Sequence, residues 1–102
     1  MATACIDKNM IGSRAEMFKA LSDPVRLELL VRIAGVDEMA CTDLVNEAHV
    51  TASTVSYHVR ILKAAGLVAV RKEGRNYHYT IEPEAFRQLQ GFAEHLLAEH
   101  AR

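Results

Sequence analysis

The sequence has few of the features that mark a membrane, secreted or catalytic protein. None of its apolar runs is long enough to span a bilayer, and no charged-then-apolar leader stands at its start. Two cysteines in 102 residues do not make a disulfide framework. No nucleophile has an adjacent base at motif spacing, and there is no glycine-rich phosphate loop. We therefore expect one cytoplasmic domain that is not an enzyme and has no membrane partner.

A net positive charge is also missing, but the cations are unevenly distributed. The formal net charge is −1 at pH 7. Between Thr51 and Asn76, five cations and one anion give +4, so the other residues carry −5. A cationic surface on an acidic body is typical of local phosphate contact. The alternative is a solvated surface of mixed sign.

The middle of the chain, residues 42–66, predicts two short helices joined by a tight turn. Thr51 is a good N-cap for the second helix, since its hydroxyl can accept from a backbone N–H one turn on. Val55, Val59 and Leu62 then recur at steps of four and three, which places them on one helical face. A glycine follows, where a left-handed C-cap is wanted. This pattern indicates a helix-turn-helix.

The N-terminal third predicts two more helices. Residues 1–12 are expected to be a flexible arm, followed by a domain over residues 13–102. Ser13 is expected to cap a helix over residues 14–21, and Asp23-Pro24 to open a second one over residues 25–34. The expected buried face of that second helix is formed by four apolar residues: Leu27, Leu30, Val31 and Ile33.

After residue 66 the hydrophobic period changes to two, which predicts a hairpin. A strand over residues 67–70 runs into two cations, a turn contains Gly74, and a β-rich return strand covers residues 77–81. The segment 36–41 is a connection with room for one short extended piece. Pro83 opens a last helix that ends near residue 101. The expected fold is therefore mainly α, with five helices and a small β-hairpin wing: a winged helix-turn-helix.

Two longer motifs point to a family. Residues 18–27 read FKALSDPVRL, and residues 54–68 read TVSYHVRILKAAGLV. Together with the basic hairpin at residues 71–79, they resemble the FKALSDPTRL signature, the STVSRHLKVL…AGLV stretch and the wing of the ArsR/SmtB family of bacterial metal-sensing repressors. The resemblance runs from about residue 14 to 97. It implies a homodimer, paired through the first and last helices, that binds a two-fold operator in double-stranded DNA until an inducer alters binding.

The predicted DNA-binding residues lie on the outer face of the second helix of the motif and on the hairpin. The N-terminal half of such a helix meets base edges, and cations further along position it on phosphates. Hairpin cations suit phosphate or minor-groove contact. The candidates are Thr51, Ser53, Thr54, Ser56, Tyr57, Arg60, Lys63, Arg71, Lys72 and Arg75.

Operator preference cannot be taken from the family, because two positions depart from it. Ala52 stands where glutamine is common, and Tyr57 where arginine or histidine is common. Tyr57 could read a base edge or pack partly buried. The neighbouring His58 is expected to be a satisfied structural histidine.

The family's thiolate metal site is not reproduced. Its ELCVCDL segment corresponds here to EMACTDL, so Ala40 and Thr42 occupy the cysteine positions and Cys41 falls between them. Cys5 could pair with Cys41 across the dimer as a soft-metal or dithiol site, although two sulfurs alone are incomplete. The alternative is that Cys41 acts as a small buried apolar residue.

The family's second metal site lies on the last helix and is shared across the dimer. Its pattern is D-x-H, ten residues, then H-x-x-H or H-x-x-E. Aligned from Tyr79, only Glu99 fits; one residue earlier, Glu84 and His95 restore the spacing. Imidazole and carboxylate ligands suit nickel, zinc or cobalt. The alternative is a solvated helix face.

Two functions are compatible with these patterns. The first is a DNA-binding repressor, modulated by a transition metal ion or by thiol chemistry. The second is a winged-helix interaction module that controls DNA only with a partner protein and has no effector site of its own. A gel shift with the purified chain alone distinguishes them.

Overall fold

The computed structural model describes residues 7–102, and this part of the chain folds into five helices and one three-stranded sheet. The helices are α1 (Lys8–Ala20), α2 (Pro24–Ala34), α3 (Cys41–Ala48), α4 (Ala52–Ala64) and α5 (Pro83–His100). The strands are β1 (Met39–Ala40), β2 (Val68–Glu73) and β3 (Asn76–Ile81). The predicted winged helix-turn-helix is confirmed. Between residues 7 and 102, no helix combines the length and the apolarity that crossing a bilayer requires.

The sheet is antiparallel, with β3 in the middle and β1 and β2 on either side. β2 and β3 pair from Val68–Ile81 to Glu73–Asn76, which leaves a two-residue turn. Gly74 opens this turn with φ +60°, a conformation that glycine adopts without strain. β1 is the short extended piece expected between α2 and α3, and it pairs with β3 through Met39 and Tyr79. The connection before α3 is thereby fastened to the wing.

The helix-turn-helix is bounded by the predicted caps. The Thr51 hydroxyl accepts a hydrogen bond from the Thr54 N–H at 3.1 Å. At the other end, Gly66 has φ +79°, and the Leu67 N–H donates to the Leu62 carbonyl at 3.0 Å. These bonds satisfy backbone groups that the helix ends would otherwise leave unpaired. The start and the end of α4 are therefore set by local chemistry.

The start of α1 differs from the prediction. The helix begins at Lys8, where the Asp7 carboxylate accepts from the Met10 N–H at 2.7 Å. Ser13 therefore lies inside the helix instead of capping it, and residues 8–12 of the expected arm are helical. The reason is that an aspartate at residue 7 offers a good cap one and a half turns before the serine. The rest of the expected arm, residues 1–6, lies outside the described residues.

The buried face of α2 is also rotated from the predicted one. Leu30 and Ile33 are buried as expected, but Leu27 and Val31 are exposed, and Leu29 is fully buried instead. The remaining buried member of this face is Arg26. Positions 26, 29, 30 and 33 follow the i, i+3, i+4, i+7 spacing of one helical face. Because the first of these positions is an arginine, the pattern of apolar residues alone does not indicate which face is buried. The largest fully buried side chains of the core are Leu29, Ile33, Leu44, Val55, Leu62 and Leu67.

We expect Gly66→Ala to destabilise the fold by about 1 kcal/mol, because an L-residue is strained at positive φ. Chemical denaturation followed by circular dichroism measures this difference. Gly35→Ala is the matched control, since Gly35 ends α2 at φ −75° and an added Cβ there meets only ordinary contacts. The control should change stability by no more than about 0.5 kcal/mol. Equal effects of the two substitutions would contradict the assignment of the α4 cap.

Candidate nucleic-acid interface

The outer face of α4 is polar and exposed because the opposite face supplies the core. Val55, Val59 and Leu62 are buried beneath the helix. The predicted contacts Ser53, Ser56, Tyr57, Arg60 and Lys63 are all exposed. Tyr57 is 52% exposed, and its ring packs edge-on against His58 with the ring centroids 5.1 Å apart, so it contacts the domain and still presents about half of its surface to solvent. The side chains that α4 offers to solvent are therefore hydrogen-bonding and cationic groups.

His58 is held inside the domain by Arg26. The Arg26 guanidinium lies 3.2 Å from His58 Nδ1, and both side chains are buried. Because arginine can only donate, Nδ1 is the acceptor and the ring carries its proton on Nε2. Arg26 also donates through Nε to the Ala20 carbonyl at 2.6 Å. The prediction of a satisfied structural histidine is confirmed, whereas no motif in the sequence pointed to a buried arginine as its partner.

Four of the five predicted cations have no carboxylate partner in the part of the chain that the structure describes. Within residues 7–102, Arg60, Lys63, Lys72 and Arg75 make no ion pair. All four are exposed. A cation without a carboxylate partner has its full charge available to an external phosphate. The positive charge counted in the sequence is therefore present on the surface at α4 and the hairpin.

Arg71 is the exception, because two carboxylates hold it. Its Nη2 and Nε lie 2.7 and 3.1 Å from the two carboxylate oxygens of Glu38, and its Nη1 lies 3.1 Å from Glu73. The hydrogen bond from Arg71 lowers the pKa of Glu38 below its ordinary value. Arg71 pairs across the hairpin with His78, whereas Lys72 pairs with Tyr77. Since side chains alternate along a strand, Arg71 and Lys72 project from opposite faces of the wing.

Sequence comparison identifies the family of this fold. A helix-turn-helix domain family matches residues 21–71. The HTH-type transcriptional regulator YceK of Bacillus subtilis is 36% identical over 86 residues, which are 81% of this chain and 85% of that protein. The SmtB repressor homologue of Synechocystis is 39% identical over 83 residues, 80% of this chain and 62% of its own length. The chain belongs to the ArsR/SmtB family.

Structural comparison agrees with this assignment. An ArsR-like transcriptional regulator from Rhodococcus superposes with a TM-score of 0.83 over 92% of this chain and 88% of that one, at 26% identity. The two relatives and the solved structure described above are named as transcriptional regulators or repressors. Family membership therefore confirms that this chain is a transcriptional regulator and not an enzyme.

The candidate thiolate site of this ArsR/SmtB protein has one member in the described residues. Cys41 is the first residue of α3, partly buried beside Tyr79. Burial raises the pKa of the Tyr79 phenol, and the neighbouring Cys41 side chain raises it further. Cys5 lies outside the described residues, so the structure does not address a Cys5–Cys41 pair. Within residues 7–102, no three His, Cys, Asp or Glu side chains are grouped closely enough to hold a metal ion.

The candidate site on α5 is brought together in part. His95 Nε2 and Glu99 Oε2 lie 3.9 Å apart, and both atoms are buried without a hydrogen-bond partner in the described part of the chain. Glu84 instead pairs with Arg87 at 3.4 Å in the first turn of the helix. Eleven residues of helix place Glu84 about 16 Å along the axis from His95. One subunit therefore offers two neighbouring ligands and cannot add Glu84 to them.

We expect Glu38→Gln to lower the melting temperature at neutral pH, with a difference that fades in acid. Because Arg71 lowers the pKa of Glu38 below 4.5 in the folded state, the ion pair stabilises the fold above that pH. The contribution is lost as the pH falls through the lower folded-state pKa. Thermal denaturation at a series of pH values below 7 measures this.

The control for this prediction is Glu94→Gln. Glu94 is exposed on α5 and makes no ion pair within residues 7–102, so its substitution should leave the melting temperature unchanged. A difference between wild type and Glu38→Gln that stayed constant as the pH fell well below 4.5 would show that the Glu38 charge is not responsible.

Proposed function

We propose that this chain is a homodimeric transcriptional repressor that acts in the cytoplasm and binds a two-fold DNA operator through α4 and the wing. The observation that carries the proposal is the exposed polar face of α4 beside four exposed cations that have no carboxylate partner within residues 7–102. A related protein of Escherichia coli is named an arsenical resistance operon repressor, and the Synechocystis relative a transcriptional repressor. Such names support a repressor over an activator.

Sequence is read, in this proposal, by the first two turns of α4. Ser53, Ser56 and Tyr57 are directed to base edges in the major groove. The hydroxyls of Thr51 and Thr54 lie 2.9 Å apart. The Ser53 hydroxyl also lies 3.1 Å from Thr51 Oγ1. Two hydrogen bonds within this group of three hydroxyls leave one O–H, on Ser53 or Thr54, to donate to DNA. The start of the helix thus combines this hydroxyl donor with base contacts.

The cations, in this proposal, position the protein on the DNA by contacting phosphates. Arg60 and Lys63 lie on the second half of α4, and Lys72 and Arg75 on the wing. Contacts of this kind neutralise phosphates and give affinity with little sequence preference. Arg71, by contrast, is assigned to holding the wing against Glu38, since its guanidinium is already occupied.

The dimer is inferred from apolar surface on the first and last helices. Ile11 and Phe18 of α1 and Leu96 and Leu97 of α5 are exposed. The eighteen-residue α5 buries only Ala85 in the described residues. An amphipathic helix that leaves large apolar side chains in water is unfavourable unless a partner covers them. Pairing of α1 and α5 with a second copy would place two α4 helices on one side for a two-fold operator.

The alternative, a module that needs a partner protein in order to control DNA, is not favoured. The relatives are named as a transcriptional regulator and a transcriptional repressor. The lone chain also carries both a polar α4 face and exposed cations. DNA binding by the purified chain, without added protein, is the result that separates the two functions.

We expect the purified chain to bind operator duplexes, selected from a random pool, with two chains per site. Arg60→Ala and Arg75→Ala should each weaken binding to all sequences and lower the slope of log affinity against log salt by about 2, because each substitution removes one neutralised phosphate from each of the two subunits. Fluorescence anisotropy at several salt concentrations measures both quantities. Arg32→Ala is the control, because Arg32 lies on α2, away from the proposed DNA and dimer contacts, and pairs with Glu28. An unchanged slope would remove the substituted residue from the interface.

A second proposal concerns the effector. We infer that a nickel, zinc or cobalt ion is held by His95 and Glu99 and completed by Glu84 of the partner subunit. Support comes from His95 Nε2 and Glu99 Oε2, which are buried without a hydrogen-bond partner within residues 7–102 and are of the donor types that these ions prefer. Arg102 Nη2 lies 3.7 Å from Glu99 Oε2, so a bound ion would have to displace this ion pair. A bound ion would link α5 of the two subunits and thereby act on the spacing of the α4 helices.

Zinc affinity, measured by competition with a chromophoric chelator, tests this site. His95→Ala and Glu99→Gln should each weaken binding by at least the roughly 10- to 100-fold that loss of an outer-shell partner causes. Cys41→Ser tests the thiolate alternative and should have no effect, and Glu94→Gln is the control for an exposed carboxylate on the same helix. If neither Cys41→Ser nor His95→Ala changes the affinity, both candidate metal sites are wrong.

A further inference from the structure

A groove of about 360 Å³ runs between α4 and the hairpin. We call it the wing groove. The α4 side is formed by Ser56, Val59, Arg60 and Lys63, and the hairpin side by Val70, Tyr77 and Tyr79. It opens to solvent between the two elements that are proposed to contact DNA. A molecule bound in the groove would therefore lie in the region where the operator is proposed to bind.

The floor of the wing groove is apolar and its edges are cationic. Val59 and Tyr79 are buried at the bottom, and the Tyr77 ring stands on the hairpin side with 43% of its surface exposed. Arg60 and Lys63 are exposed on one edge. Lys72 does not line the groove itself but adjoins its hairpin side, with Nζ 5.8 Å from the centre of the Tyr77 ring. None of these three cations has a carboxylate partner in the described residues.

This combination matches a chain of alternating apolar and anionic units. A sugar–phosphate strand is such a chain, since its deoxyribose rings expose C–H surface and its phosphates are spaced regularly between them. A free phosphate would use the cations but leave the apolar floor uncovered. An uncharged ligand would use the floor but leave the cations unpaired. Charge and apolar surface together therefore favour a nucleic-acid backbone.

We propose that the wing groove receives the sugar–phosphate strand that separates the two DNA grooves, with a deoxyribose packed on the Tyr77 ring. The proposal rests on the proposed function and adds to it a contact residue that the sequence did not indicate. If α4 lies in the major groove and the wing reaches the adjacent minor groove, one backbone strand must pass between them. Arg60 and Lys63 then face the phosphate on one side of that sugar, and Lys72 faces the phosphate on the other.

The proposed contact of Tyr77 with a sugar is tested by measuring operator affinity and its dependence on salt separately. An apolar contact with a sugar releases no counterions, whereas removal of a cation from a phosphate lowers the salt slope. We expect Tyr77→Ala to weaken operator binding about tenfold with an unchanged slope, and Tyr77→Phe to bind like wild type because the ring is kept. Arg60→Ala, by comparison, should lower the slope. Unchanged affinity of Tyr77→Ala, or a lowered slope, would overturn the proposed sugar packing.

Cys41 provides a second measurement that does not depend on a Tyr77 variant. Its side chain also lines the wing groove. In a Cys5→Ser background, alkylation of Cys41 by iodoacetamide should slow at least several-fold when operator duplex is bound, since the strand covers the groove. Inorganic polyphosphate, which has the charge without the sugars, should protect less.

The outcomes distinguish this inference from the function on which it rests. Equal alkylation rates with and without bound duplex would show that the groove stays open, and the inference would fail while DNA binding stood. Equal protection by polyphosphate and duplex would show that charge alone fills the groove, which also overturns the sugar packing. Failure of the wild-type chain to bind any duplex would instead overturn the proposed function.

Discussion

The guanidinium of Arg26 is the interaction on which the position of the DNA-facing helix depends. It lies at the start of α2, donates to the last turn of α1 through the Ala20 carbonyl, and donates to His58 in α4. One buried side chain thus connects three helices at a single point. A buried charge is tolerated only when its donors are paired, so the end of α1, the start of α2 and the middle of α4 must meet in this one arrangement. The exposed side of α4 follows from it, because His58 can face Arg26 only if Tyr57 and Arg60 face out.

A second constraint acts through the alternation of the hairpin. Because neighbouring residues of a strand project to opposite faces, β2 and β3 divide the wing chemically. One face carries Lys72 and Tyr77 toward α4. The other carries Arg71, Glu73 and His78, with Glu38 supplied by the connection before β1. The wing therefore has a face whose positive charge is free and a face whose charges are mutually neutralised. Counting cations along the chain does not distinguish the two.

The parts of the fold that the sequence predicted are those set by local chemistry. Thr51 and Gly66 set the two ends of α4. The start needs a capping hydroxyl and the residue after the end needs a positive φ, and neither requirement depends on distant parts of the chain. The errors occur where distant residues decide. Asp7 and Ser13 are both suitable caps for the start of α1, and the sequence does not show which one is used. On α2, hydrophobic periodicity assigns core positions to apolar residues and therefore misses the buried Arg26. The Glu38–Arg71 pair joins residues 33 apart, so no local pattern indicated it, although the strand period alone could have separated Arg71 from Lys72.

The shortest element of the sheet has a mechanical consequence. Through its pairs with Tyr79 and His78, the two-residue strand β1 joins the start of α3 to the middle of the wing, and Glu38 adjoins it. The helix-turn-helix and the wing are thereby connected through the sheet, and we expect them to move as one rigid unit. In the proposed dimer, the angle between the rigid units of the two subunits is then the quantity that can change. An effector that rotated one subunit by a few degrees would move helix and wing together out of register with the operator.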